Sequence, residues 1–205
     1  MAASVALATV VPDPQEVLEQ HLGRLYLRSL KAGASPLDAP GTGLDRAAWA
    51  ASLPKVVASG SMLFADGEGR TLLVRQSHRG SERTVWNAPG GGIEEGESPA
   101  QGARREALEE IGLDVLPGRL LMVDWCRRDG DRPPLAQYLY DGGTLSAEQI
   151  ARIRLQPGEI AEYGFFDLEG ARERLAPGAF GRLTRALAVR DGLEALQDLE
   201  DGLAR

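Results

Sequence analysis

GGGIEEGESPAQGARREALEEIGL, residues 90–113, reads as a glycine-rich loop opening onto one short helix. Ser98 is a good N-cap, Pro99 suits the first helical position, and Gln101 completes a capping box with Ser98. Gly112 is a natural left-handed stop after Ile111. At about 100° per residue, Ala100, Ala103, Ala107 and Ile111 share one face, with Leu108 flanking it. Glu106, Glu109 and Glu110 fall on the other side, and Gly102 sits among them without a side chain.

Three crowded carboxylates repel one another and do not stabilise a helix. They make sense around a hard cation, because Mg²⁺ prefers oxygen ligands and keeps waters and phosphate oxygens in its shell. Glycines ahead of the helix let backbone approach the metal or a phosphate closely. The bland alternative is a solvated acidic face.

The spacing decides between them. Gly91 is followed at fixed intervals by Glu97 and then by Arg105-Glu106-Ala107-Leu108-Glu109-Glu110-Ile111-Gly112-Leu113. This resembles the Nudix box, the signature of the Nudix hydrolases. Ala107 stands where the family usually has a bulkier aliphatic; it faces the core, so packing and not chemistry is affected. Weaker resemblance runs from about Val56 to Leu168 and none covers the first fifty residues. The resemblance implies an α+β fold, a Nudix-type α/β/α sandwich with a mixed β-sheet held between helices, here with an N-terminal helical extension.

Composition sets outer bounds. Hydrophobic content of 43% and charged content of 26% are ordinary for a globular chain. A net charge of −7 argues against coating DNA or RNA, but not against nucleotides, because a bound metal supplies local positive charge. One cysteine, Cys126, leaves no intramolecular disulfide or cysteine-based zinc site and fits a reducing cytoplasm. It reads as a small buried hydrophobe. The opening MAASVALATVVPDP lacks the basic start of a signal peptide, and no apolar run is long enough for a membrane helix.

Along the chain, Asp13-Pro14-Gln15-Glu16 starts a helix with Leu18, Leu22, Leu25 and Leu30 at near-helical spacing. That stripe must bury against this chain or a second subunit, so a homodimer is a reasonable expectation. Residues 31–54 read as a linker with a short helix from Asp45 to Ser52, and the boundary with the catalytic domain falls near Pro54, giving 1–54 and 55–205. Residues 55–64 and Thr71 to Arg75 are strands around the turn Asp66-Gly67-Glu68-Gly69. In the loop that follows, Arg75, Arg79 and Arg83 are placed to neutralise substrate phosphate, with His78 beside them. Trp86 serves packing or base stacking.

Residues 119–127 and Leu135 to Tyr140 read as paired strands; Asp124, Trp125 and Arg127 are candidates to face the substrate pocket, with no spacing rule to fix this. Ser146 caps a short helix. Residues 168–203 are helical in pattern, interrupted at Pro177-Gly178 and near Gly192, with Phe180, Leu183, Leu187, Leu193 and Leu196 as stripe residues.

By resemblance, Glu106, Glu109 and Glu110 hold Mg²⁺ (or Mn²⁺), with the carbonyl of Gly90 as a further ligand. Glu97 and Arg105 pair to tie the loop to the helix, and Gly91 and Gly112 shape it. The base is a box glutamate or one outside it; Glu109, Glu162 and Glu159 are the candidates. The expected activity is cleavage of a nucleoside diphosphate linked to another moiety: an NTP, ADP-ribose or a nucleotide sugar. Two other readings stand beside it. One is a non-catalytic nucleotide-binding module, which has no need of three adjacent charges. The other is an isoprenoid diphosphate isomerase, for which Cys126 has no supporting motif.

Overall fold

A computed structural model of the chain describes residues 46–77, 85–127, 130–131 and 133–204. The helix expected from Asp13 to Leu30, and His78, Arg79 and Arg83, lie outside the described residues. The chain divides into two compact units, Met1–Pro54 and Lys55–Arg205. In the first, the described residues form helix α1 (Arg46–Ser52).

The second unit is built on one mixed sheet. Its strands are β1 (Val57–Ala65), β2 (Thr71–Gln76), β3 (Trp86–Asn87), β4 (Gly90–Gly92), β5 (Leu120–Cys126), β6 (Leu135–Thr144), β7 (Ile160–Phe166), β8 (Gln197–Glu200) and β9 (Leu203–Ala204). The order is β3-β2-β1-β6-β5-β8-β9, with β4 added to β1 and β7 to β2. β1 runs parallel to β6, and β5 parallel to β8. The remaining pairs are antiparallel. The helices are α2 (Pro99–Ile111), α3 (Ala147–Ala151), α4 (Leu168–Arg174) and α5 (Pro177–Arg190).

Successive strand side chains point to opposite faces, and here both faces are covered. Met62 and Phe64 of β1 and Leu72 and Val74 of β2 pack against Ala103, Ala107 and Ile111 of α2. Leu63 and Leu73 point the other way, toward Leu183, Ala186 and Val189 of α5. That is why the central strands read as continuous apolar runs and why the architecture is helix, sheet, helix. Each fully buried Leu, Ile, Val, Met or Phe among them contributes roughly 1.5–3 kcal/mol. Gly60 sets how closely α2 lies on β1: a Cβ there would run into the Pro99 carbonyl and stand 2.9 Å from the Ala103 nitrogen.

The box helix has the ends its residues dictate. Gln101 N–H donates to Ser98 Oγ at 3.3 Å and Ser98 N–H to Gln101 Oε1 at 2.8 Å. Gly112 closes it at φ 72° with its N–H on the Leu108 carbonyl.

Two expectations need correction. Residues 168–203 are not helical throughout: α4 and α5 are followed by strands β8 and β9. Leu193 and Leu196 are 78% and 56% exposed and belong to no helical stripe. Helix propensity there loses to a tertiary option, because residues 197–200 find a free edge on β5 and pair along it. Cys126 is only half-buried. Among the described residues, no helix is long and apolar enough to cross a membrane.

Candidate active site

The glycine loop is itself a strand. β4 pairs antiparallel with β1, Gly90 opposite Ser61 and Gly92 opposite Ser59, and lies beside α2, where it meets Arg105, Glu106 and Glu110. Gly91 is needed for that approach: a Cβ would stand 2.5 Å from Glu106 Oε1.

Glu110 is 1% exposed, and its Oε2 accepts the Gly90 N–H at 2.8 Å. Burial pushes its carboxyl up to about 8; the Gly90 N–H opposes that shift, and the charges of Glu106, Glu159 and Glu109 add to it. Glu106 is also raised, first by burial, against the pull of Arg105.

Arg105 is the hub of the loop. Its Nε donates to Glu97 Oε1 at 2.9 Å and its Nη2 to Glu97 Oε2 at 3.1 Å and to the Gly92 carbonyl at 2.7 Å. Its Nη1 reaches Glu106 Oε1 at 2.9 Å and Glu109 Oε2 at 3.0 Å. The Arg105 guanidinium holds the Glu97 carboxyl below its ordinary value.

The other expected residues separate into two groups. Glu159 lies just ahead of β7, exposed, and its charge acts on both Glu106 and Glu110. Glu162 of β7 stands opposite Arg75 of β2 and accepts from its Nε at 2.8 Å, so these two engage each other. Trp86 is 8% exposed and packs edge-on against Phe166 at 5.3 Å, in the core on the α5 side.

The carboxylates suit a hard divalent cation: they are oxygen donors, one is buried without a cationic partner, and their mutual repulsion would be relieved by positive charge. Among the described residues no three acidic, His or Cys side chains already converge as a metal cage. Arg105 draws Glu106 and Glu109 toward itself, and Glu110 turns to the Gly90 N–H; that is the structural reason.

A cleft of about 320 Å³ opens on the sheet face opposite α2. Gly90, Gly91 and Gly92 form its lip, so one strand separates it from the carboxylates. Sequence reasoning missed Arg182, which lines it, and the buried Asp124 behind Arg182 is not itself in the lining. Asp124 is 0% exposed and accepts from Arg182 Nη1 at 2.9 Å and from the Gly202 N–H at 3.0 Å. An aspartate inside the apolar run LLMVDWC is the signal that could have found this pair, since a buried charge requires a partner.

The sequence matches the NUDIX domain family over residues 54–186. The chain belongs to the Nudix family. It is 32% identical over 142 residues to an RNA pyrophosphohydrolase of Gluconacetobacter diazotrophicus, covering 61% of this chain and 84% of that protein. It is 34% identical over 93 residues to an RNA pyrophosphohydrolase of Sulfurovum sp., covering 42% of this chain and 59% of that protein. Against a dihydroneopterin triphosphate diphosphatase of Escherichia coli K12 it is 33% identical over 67 residues, 33% of this chain and 42% of that one. The chain thus spans less than two thirds of the length of the latter two relatives. Among solved structures, a MutT protein from Methanosarcina mazei Go1 superposes with a TM-score of 0.56 at 24% identity, covering 70% of this chain and 100% of that one. A UDP-X diphosphatase superposes with a TM-score of 0.56 at 20% identity, covering 93% and 89%. These likenesses carry the fold.

Proposed function

We propose that this chain is a pyrophosphohydrolase dependent on Mg²⁺, with Mn²⁺ able to replace it, cleaving a nucleoside diphosphate linked to another moiety. The observation that carries this reading is Glu110: a buried carboxylate pushed up to about 8, crowded by three further glutamates, and bonded to the glycine strand that lines the cleft. Holding so much like charge in one place costs stability, which a cation-binding role explains.

Glu106, Glu109 and Glu110, with the Gly90 carbonyl, would hold the cation. When bound, it supplies neutralisation of the diphosphate oxygens as the P–O bond breaks. The chain's own groups do the remainder. The Gly90–Gly92 strand lets the diphosphate lie against backbone. Arg105 ties Glu97 to the helix and sets where Glu106 and Glu109 stand. Glu159 is exposed and makes no side-chain hydrogen bond among the described residues, so its carboxylate is free to take the proton of the attacking water. Water oxygen bonds to phosphorus, the bridging P–O bond breaks, and two phosphate-bearing products leave. Glu109 is the second candidate for the base; Glu162, engaged by Arg75, is the third.

A phosphate- and nucleotide-release screen with Mg²⁺ tests this. Its panel is NTPs, ADP-ribose, nucleotide sugars and, given the relatives' names, RNA with a 5′-triphosphate. Release from none of them, with the protein folded, removes the reading. The second reading, a non-catalytic nucleotide-binding module, draws on Arg105 engaging two of the box carboxylates. Calorimetry showing nucleotide binding without turnover would select it. We place the protein in the cytoplasm, in keeping with its single thiol, and assign residues 1–54 as an extension whose leucine-rich helix would join two copies; sedimentation tests the latter.

A further inference from the structure

The cleft has an unusual charge distribution for a site beside a diphosphate. Among the described residues, Arg182 is the one charged side chain lining it. The others that carry polar atoms include the amides of Gln76, Asn87 and Gln137 and the hydroxyl of Tyr138. Arg182 is itself neutralised by Asp124, which is 0% exposed and cannot reach a ligand. The pair therefore adds donor N–H groups to the cleft and almost no net positive charge. A site built this way is poorly suited to a further phosphate. It is suited to the uncharged half of a substrate.

Arg182 is 19% exposed at its side chain, and its recorded hydrogen bonds to Asp124 and Cys126 use Nη1. Nε and Nη2 make no hydrogen bond among the described residues. A guanidinium has donors in a fixed fork and no acceptor. Asparagine and glutamine amides can turn either way and hydroxyls both donate and accept, so among the described residues Arg182 is the lining side chain that only donates. It selects against a ligand edge that presents an amino group and for one that presents an oxygen.

The orientation of Arg182 is set from far away. Asp124 Oδ2 takes Arg182 Nη1, while its Oδ1 takes the N–H of Gly202 at 3.0 Å. Gly202 follows Asp201, which holds φ 53° and accepts the Arg127 N–H at 2.9 Å and Arg127 Nε at 2.6 Å. This turn joins β8 to β9 and lies beyond residues 54–186, the part that matches the family.

We propose that Arg182 is the specificity-determining residue of the cleft, reading an oxo oxygen on the substrate's nucleobase, and that Asp124 and the Asp201–Gly202 turn are its positioning groups. This rests on the hydrolase reading only in placing the diphosphate at the Gly90–Gly92 lip. The base classes selected are those with a keto oxygen on the exposed edge. Those with an exocyclic amino group at that position are disfavoured.

The experiment measures binding of four product-like probes to the full chain by calorimetry: GMP against AMP, and UMP against CMP. The expected result is tighter binding of the oxo member of at least one pair by about tenfold, as one well-made hydrogen bond against a mismatched donor gives. The purine and pyrimidine arms tell which base carries the oxygen. Arg182→Gln combined with Asp124→Asn keeps a neutral hydrogen-bonding pair and should bring that ratio to about one. Arg182→Lys keeps the charge on Asp124 but loses the fork, and should retain only part of the preference; it also serves if the double variant fails to fold. Asp124→Asn alone should lower the ratio through Arg182, which a merely structural role would not do.

Equal binding of both members in both pairs by the wild type, failure of all four probes to bind, or an unchanged ratio in the folded variants would overturn the proposal. Oxo preference without turnover of any diphosphate would leave it standing and remove the hydrolase reading. Turnover without oxo preference would do the reverse.

Discussion

Gly90 donates its backbone N–H to the carboxylate of Glu110 at 2.8 Å, joining the glycine strand to a residue 20 positions later on the box helix. Among the described residues, this bond is the one neutral donor that offsets burial at a carboxyl otherwise crowded by negative charge. It couples the shape of the loop to the protonation of the helix.

The first prediction concerns pH. Glu110 is raised from an ordinary 4.5 to about 8, so between those values the folded state binds more protons than the unfolded one. Folding stability of the chelator-treated protein therefore falls as pH rises through that window, by up to a few kcal/mol. Glu110→Gln should flatten the slope, and added Mn²⁺ or Mg²⁺ should reverse it. Thermal melts from pH 4.5 to 8.5 check this; a flat profile in the wild type contradicts it.

The second concerns the two late acids. Glu159→Gln should lower kcat by about 10²–10⁴-fold with little change in KM. Glu162→Gln breaks an exposed pair with Arg75 and should cost about 1 kcal/mol or less in stability, with turnover kept. Steady-state kinetics on both variants decide, and the opposite ranking would move the base to Glu162.

Turnover should also vanish in Glu109→Gln and Glu110→Gln while circular dichroism stays native. Full activity in Glu110→Gln would remove the metal assignment.

The loop tie is testable on its own. Glu97→Gln strips the charge that Arg105 grips with two nitrogens, and should lower the Tm. Faster amide exchange at residues 93–98 should accompany it; unchanged exchange there would mean the pair does not order the loop.

Close approach sets the last prediction. Gly91→Ala places a Cβ against the Glu106 carboxylate and should cost more activity than stability, since a side chain must move. Gly60→Ala meets backbone of α2 and should cost stability first, about 1–3 kcal/mol. Differential scanning calorimetry with a turnover assay separates the two.

Local signals account for what is legible in the chain. The capping box at Ser98, the Gly112 stop, the β1–β2 hairpin and the cap at Ser146 all depend on residues within four positions of each other, and all are present. The C-terminal strands are not legible, because residues 197–200 carry no strand pattern that outweighs helix propensity; the open edge of β5 decides them. The helical wheel places Glu110 with its neighbours on a polar face, yet it is fully buried, because β4 closes over it.

By itself, the sequence determined that a capped helix of about three turns would carry Glu106, Glu109 and Glu110 behind a glycine run, and its resemblance to the Nudix box implied a mixed sheet held between helices. Only the tertiary structure decided which acid is buried, that Glu162 meets Arg75, and that Asp124 meets Arg182 and Gly202. The reason is range. A cap or a helix face is set by neighbours a turn away, whereas a buried charge is held by partners 20, 58 and 78 positions distant, which meet only once the sheet has formed.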